Sequence, residues 1–113
     1  MADRLRVTMR RLAQDDIDQA IDWYRDHAGV ETALAFVDAV EAAMARAVEH
    51  PSIGSPRYAV ELDLPGVRHV SLVGFPHLMF YVVSDGTIDV WRLLHASRDI
   101  PARLPASDTD AEQ

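Results

Sequence analysis

At 113 residues, 49% hydrophobic and 26% charged, the chain has the size and composition of one globular domain. It contains no cysteine, which excludes disulfides, thiolate nucleophiles and thiolate metal sites, and no apolar run approaches the roughly 18–20 residues that span a bilayer. A net charge of −7 argues against general nucleic-acid binding, whose affinity comes largely from phosphate neutralisation, so the expectation is a small cytoplasmic protein that neither enters membranes nor reads DNA sequence by itself.

All 11 basic residues are arginine, and they are unevenly placed. Residues 15–63 carry eleven acids against three arginines, whereas residues 1–14 carry four arginines against one acid. Residues 64–104 are mildly basic. The middle of the chain is acidic and its structured ends are not.

Arg4-Leu5-Arg6-Val7-Thr8-Met9-Arg10 alternates arginine with apolar or β-branched residues, which predicts a half-buried strand. Arg4, Arg6 and Arg10 share one side, and Leu5, Val7 and Met9 face the core. Ile17, Ala20, Ile21 and Tyr24 then fall at helical spacing, with Asp15, Asp16 and Asp18 in the first turn, where the helix dipole favours negative charge. Gly29 stops that helix. An alanine-rich second helix runs from Glu31 to His50, its apolar stripe being Ala33, Val37, Val40, Met44, Ala47 and Val48, and Pro51 ends it. The short joint makes the two helices an antiparallel hairpin.

Residues 51–66, with Pro51, Gly54, Pro56, Pro65 and Gly66, have loop composition. Three strands follow: Val67–Val73, His77–Ser84 and Thr87–Leu94. Gly74-Phe75-Pro76 makes the first turn and Asp85-Gly86, a strong hairpin signal, the second. In the last strand Ile88, Val90 and Leu94 oppose Asp89 and Trp91. Residues 105–113 read as a disordered polar tail, leaving residues 1–104 as a single domain. The predicted order is β-α-α-β-β-β, an α+β fold with the hairpin packed on one face of a mainly antiparallel four-stranded sheet. The first strand must return beside a later one.

The five histidines show no metal-ligand spacing, so neither metal nor cofactor is expected, and phosphate-binding glycine loops and Gly-x-Ser-x-Gly are absent. What remains is a polar set on the late strands: Arg68, His69, Tyr81, Arg92, His95 and Arg98. Arginines could hold a scissile phosphate while His or Tyr moved protons, as a metal-independent ribonuclease requires. The same residues could equally be the exposed side of a one-faced sheet, with Tyr81 half-buried. Tyr24 belongs to the apolar stripe. Trp23 lies off it, either as an exposed anchor for a partner or as cover for the hairpin edge.

Four stretches in order resemble the ParE branch of the RelE/ParE toxin superfamily, over about residues 5–104. Ala13-Gln14-Asp15-Asp16-Ile17 is similar to Ala-x-x-Asp-Leu, and Pro51-Ser52-Ile53-Gly54 to Pro-x-x-Gly. Gly66-Val67-Arg68 is similar to Gly-hydrophobic-Arg, and Leu93-Leu94-His95-Ala96-Ser97-Arg98-Asp99 to a strand end followed by His-x-x-Arg-Asp. The resemblance implies the toxin of a type II toxin–antitoxin pair. Such a toxin is neutralised by a ParD-like antitoxin in a hetero-oligomer, and it poisons DNA gyrase without being an enzyme.

On that reading Arg68, Arg92, His95 and Arg98 contact the target, and Trp23 contacts the antitoxin. The alternative within the superfamily is a RelE-like mRNA interferase acting at the ribosome, with Arg68, Tyr81, Arg92 and His95 catalytic. Long helices, the lack of lysine and the acidic net charge favour ParE, and Val82 stands where many family members carry arginine after the tyrosine. A relative that binds antitoxin but has lost activity is a third possibility.

Overall fold

Strand β1 (Arg6–Met9) lies parallel to the last strand, with Arg6 opposite Thr87 and Met9 opposite Val90. This computed structural model describes residues 5–111, with side chains described through residue 105. Arg4 and residues 112–113 therefore lie outside the described residues. Leu5 and Met9 pack on the core as the alternation predicts, but Val7 is 39% exposed because β1 is an edge strand.

The Arg10 amide donates to Val90 O, and the chain passes directly into α1 (Arg11–Ala28). The helix thus starts earlier than the sequence suggests. Its first turn holds no acid, and Asp15, Asp16 and Asp18 fall beyond it. They do not serve the helix dipole; Asp16 has another task, described below.

Gly29, at φ +100°, is both the end of α1 and the entry to α2 (Val30–Glu49), so one glycine makes the whole joint. A side chain at that φ would be strained. The buried stripe of α2 is Ala33, Phe36, Val40, Ala43 and Ala47. Phe36, absent from the predicted stripe, is fully buried against Tyr24 and Phe75, with ring centroids 5.3 and 5.2 Å away. The small alanines let α2 lie close to the sheet, and Phe36 supplies the bulk.

The remaining strands are β2 (Arg68–Ser71), β3 (His77–Ser84) and β4 (Thr87–His95), all close to their predicted places. The sheet order is β1-β4-β3-β2; β4 pairs antiparallel with β3, and β3 with β2. Asp85 and Gly86 both take positive φ at the β3–β4 turn, the backbone that a two-residue hairpin demands. The architecture is α+β on a mixed four-stranded sheet, and the first strand returns beside β4 as its position in the chain requires.

Two findings change the predicted picture. The sheet is not one-faced. Short helix α3 (Arg57–Glu61) and C-terminal helix α4 (Ile100–Ala111) cover its second face. There Val67, Phe80, Trp91, Leu94, Ile100 and Leu104 form a second core, joined by Tyr58, Leu62, Leu78 and Val82. The predicted disordered tail is corrected as far as Ala111. Ile100 and Leu104, one turn apart, seat the start of α4, and the helix continues through Pro105.

The second finding is a β-bulge. Register shifts between Phe80 and Tyr81, so that Tyr81 opposes Val90 while Phe80 opposes Arg92. Trp91 is the extra residue, and the bulge reverses the alternation of β4 beyond it. Leu94 consequently lies on the same face as Trp91, not opposite it, and Leu93 joins the hairpin-side core.

Candidate functional site

The predicted site residues divide into two internal clamps and one groove. The first clamp gathers Arg68, Tyr81 and the loop after α2. Tyr81 is fully buried, not half-exposed; its hydroxyl donates to Pro51 O at 2.9 Å and accepts from Gly54 N at 3.1 Å. Arg68 Nη1 donates to Gly54 O at 2.7 Å and to Ser52 O at 3.2 Å. Gly54 lies so tightly between them that a Cβ there would meet Tyr81 Oη at 2.7 Å and Arg68 Cβ at 2.8 Å. Desolvation raises the Tyr81 pKa above its ordinary value, against the opposing pull of the Gly54 amide and the Arg68 charge. A phenol so held is a poor proton acceptor at neutral pH.

The second clamp joins Arg92 to Asp16. Arg92 Nε and Nη2 donate to the two oxygens of Asp16 at 2.7 and 2.8 Å, while Nη1 donates to Arg103 O at 3.1 Å. Asp16 also accepts the Leu93 amide at 3.0 Å. This amide lies on β4 beyond the last residue of β1, where the strand edge has no β1 partner, and the carboxylate of α1 closes it. The side chains of the pair are only 9% and 13% exposed. Arg92 is thus a buried tie among α1, β4 and α4, not a side chain presented to a target.

The groove lies where α1, the end of β4 and the start of α4 meet. It has a volume of about 790 Å³, and its lining includes Trp23, Tyr24, His77, His95 and Arg98. Trp23 is 55% exposed and stacks on His27 at 4.4 Å between centroids. His95 Nδ1 accepts the Ser97 amide at 3.1 Å, which puts the neutral ring's proton on Nε2. The Arg98 guanidinium is exposed and makes no hydrogen bond or ion pair among the described residues.

His77 is the residue the sequence reading left unassigned. It is 8% exposed, its Nδ1 has no hydrogen-bond partner among the described residues, and its ring centroid is 5.2 Å from that of His95. Burial first, then the charges of His95 and Arg98, lower its pKa to about 4, although Asp16 opposes them. Its β-strand setting between apolar residues gave no sequence signal of a polar role.

The structure therefore brings Trp23, His95 and Arg98 together on one groove. Arg92 stands behind its wall, and Arg68 and Tyr81 stand four positions along β3 from His77, about 13 Å at the rise of a strand. Among the described residues no group of three or more histidines and carboxylates gathers to hold a metal, and no helix is long and apolar enough to cross a membrane.

Comparison with known proteins decides the family. A family model described as the ParE toxin of the type II toxin–antitoxin system parDE matches residues 7–100. The chain belongs to the ParE toxin family. Toxin ParE1 of Mycobacterium tuberculosis, in strains CDC 1551/Oshkosh and H37Rv, is 33% identical over 100 residues, which is 88% of this chain and 97% of that protein. A chain of the chromosomal ParDE system from P. aeruginosa has the same fold, with a TM-score of 0.67 and 24% identity over 81% of this chain and 96% of its own. Membership gives the motif stretches a physical reading in this ParE-family chain. The aspartate of the first is the partner of Arg92, and the glycine and arginine of the next two hold each other and Tyr81.

Proposed function

We propose that this ParE-family toxin arrests growth by inhibiting DNA gyrase, cuts no nucleic acid itself, and is neutralised by a ParD-like antitoxin in a hetero-oligomer. One observation carries the choice between gyrase and mRNA. Of the four residues an RNA-cutting site would draw on, Arg92 is closed on Asp16, Tyr81 is sealed under the Pro51–Gly54 loop, and Arg68 holds that loop. His95 alone has a ring open to the groove. Three of the four residues are thus engaged inside the fold, so the set named for RNA cleavage does not converge on one phosphate.

Target contact in this reading falls chiefly on His95 and Arg98, with Arg68 bracing the Pro51–Gly54 loop away from the groove and Arg92 acting from within. Antitoxin contact falls on Trp23. The test is a gyrase supercoiling and cleavage assay with purified toxin, run beside translating ribosomes on a reporter mRNA. Lost supercoiling or trapped cleaved DNA with intact mRNA supports the reading. Cut mRNA with normal gyrase activity overturns it.

A further inference from the structure

The chain turns sharply after β4, and the turn is tied at several points. The Ala96 amide donates to Pro76 O at 2.8 Å, and the Arg98 amide closes on His95 O at 2.9 Å. The Ser97 amide donates to His95 Nδ1 at 3.1 Å, so that nitrogen offers a lone pair. The Ser97 hydroxyl lies 2.7 Å from the same nitrogen and is therefore the donor in their contact. An exposed serine thus holds its proton on a neutral imidazole, the arrangement that activates a hydroxyl as a nucleophile. Other hydroxyls are held differently: Thr32 donates to Ala28 O and Tyr81 to Pro51 O, and a backbone carbonyl takes up no proton.

Two neighbours define what the hydroxyl can do. Arg98 is exposed, follows Ser97 directly and lines the same groove as His95, which places a positive charge beside the pair. Asp16, the carboxylate in that lining, has both oxygens bound by Arg92 and does not orient the imidazole. A base without such a partner supports a single transfer to the serine, not turnover. The chain also has neither lysine nor cysteine, so a transferred group meets few competing acceptors.

We propose that Ser97 is an acyl-acceptor site, modified by donors of the acyl phosphate class. Ser97 Oγ forms a bond to the acyl carbon as its proton passes to His95 Nδ1. The bond from that carbon to the phosphate oxygen breaks, phosphate leaves with the electron pair, and His95 gives the proton to it. Arg98 holds the phosphate during the transfer. The ester that results has lost the hydroxyl donor to His95 and sits on the groove rim beside Arg98.

The test incubates the folded chain with acetyl phosphate or with the uncharged ester p-nitrophenyl acetate and locates the acetyl group by peptide mass spectrometry. One acetyl group on Ser97 is expected with both reagents. His95→Gln keeps a polar side chain at the turn but removes the base, and is expected to slow labelling about a hundredfold. Arg98→Gln is expected to lower the ratio of the acetyl phosphate rate to the p-nitrophenyl acetate rate about tenfold, the scale of one charge-assisted contact. Ser84→Ala, at the exposed end of β3, retains the labelling of Ser97. Circular dichroism checks that each variant is folded.

An unlabelled Ser97, label spread evenly over the exposed serines, unchanged labelling of folded His95→Gln, or a rate ratio unaltered by Arg98→Gln overturns the inference. No gyrase or ribosome enters the labelling, so its failure leaves the target reading untouched. Normal supercoiling in the presence of unmodified toxin would overturn that reading and leave this one.

Discussion

Asp16 and Arg92 lie 76 residues apart and meet through two parallel hydrogen bonds of 2.7 and 2.8 Å, largely out of solvent. Each is costly to bury alone, because the partner left behind keeps a charge without hydration. Asp16→Ala is therefore expected to destabilise the fold by about 3–5 kcal/mol, measured by urea unfolding. Adding Arg92→Ala removes the stranded guanidinium, so the double variant should lose clearly less than the sum of the two single losses. Additive losses would show that the two side chains act independently.

Gly54 and Tyr81 give a second prediction. The glycine's missing side chain is what lets the Tyr81 hydroxyl reach two backbone groups. Tyr81→Phe leaves a buried carbonyl and amide without that partner and is expected to cost about 1–3 kcal/mol. Gly54→Ala must move Tyr81 or Arg68 and is expected to cost at least as much, from about 1 to 3 kcal/mol. A thermal midpoint unchanged by Gly54→Ala would mean that the loop yields freely.

These two clamps explain how much the sequence could disclose. Periodicity placed β1, the hairpin and β2–β4 because each presents one apolar side at a regular spacing, and Asp85-Gly86 announces its own turn. The second layer was hidden. Helix α3 has five residues between prolines, and α4 opens on Ile100-Pro101, so neither shows two turns of amphipathic pattern. The signal that existed was indirect: Phe80 and Trp91 are too large and apolar for an open sheet face. Of the site residues, Trp23, His95 and Arg98 were legible as exposed chemistry. The pairing of Arg92 was not legible because its partner, Asp16, lies 76 positions away in sequence.

His77 makes stability depend on pH in a definite direction. Its folded pKa of about 4 lies below the 6.5 of an exposed histidine, so the unfolded chain takes up the proton first. Its neutral-state contribution is fully present above about pH 6.5 and is lost progressively as pH falls toward 4, by an amount on the order of 2–3 kcal/mol. His77→Phe suits the neighbouring Tyr24, Phe36 and Phe75 rings and removes the titration. Urea unfolding of both proteins between pH 7.5 and 4.5 should therefore show the wild type losing more stability than the variant. Parallel curves would assign the acid sensitivity to the carboxylates.

Leu104 tests whether α4 belongs to the fold or merely lies on it. It is fully buried against the second core, one turn after Ile100. Leu104→Ala is expected to cost about 2–5 kcal/mol by loss of contact and a residual cavity. Hydrogen exchange should then rise along residues 100–105 and at Arg92, whose guanidinium donates to Arg103 O. A loss below about 1 kcal/mol would place the helix among the weakly held segments.

Arg98 and Arg68 separate contact from construction. The Arg98 side chain is exposed and makes no hydrogen bond or ion pair among the described residues, so Arg98→Ala is expected to leave the thermal midpoint within about 1 °C of wild type. If the proposed target face is right, it nevertheless reduces inhibition of supercoiling about tenfold, the scale of one lost charge-assisted contact. Arg68→Ala gives up two hydrogen bonds to loop carbonyls, so its midpoint falls and any loss of potency follows the fraction unfolded. Measuring potency at matched folded concentration resolves the two. Full inhibition by folded Arg98→Ala would remove this arginine from the target face and leave His95 to carry it.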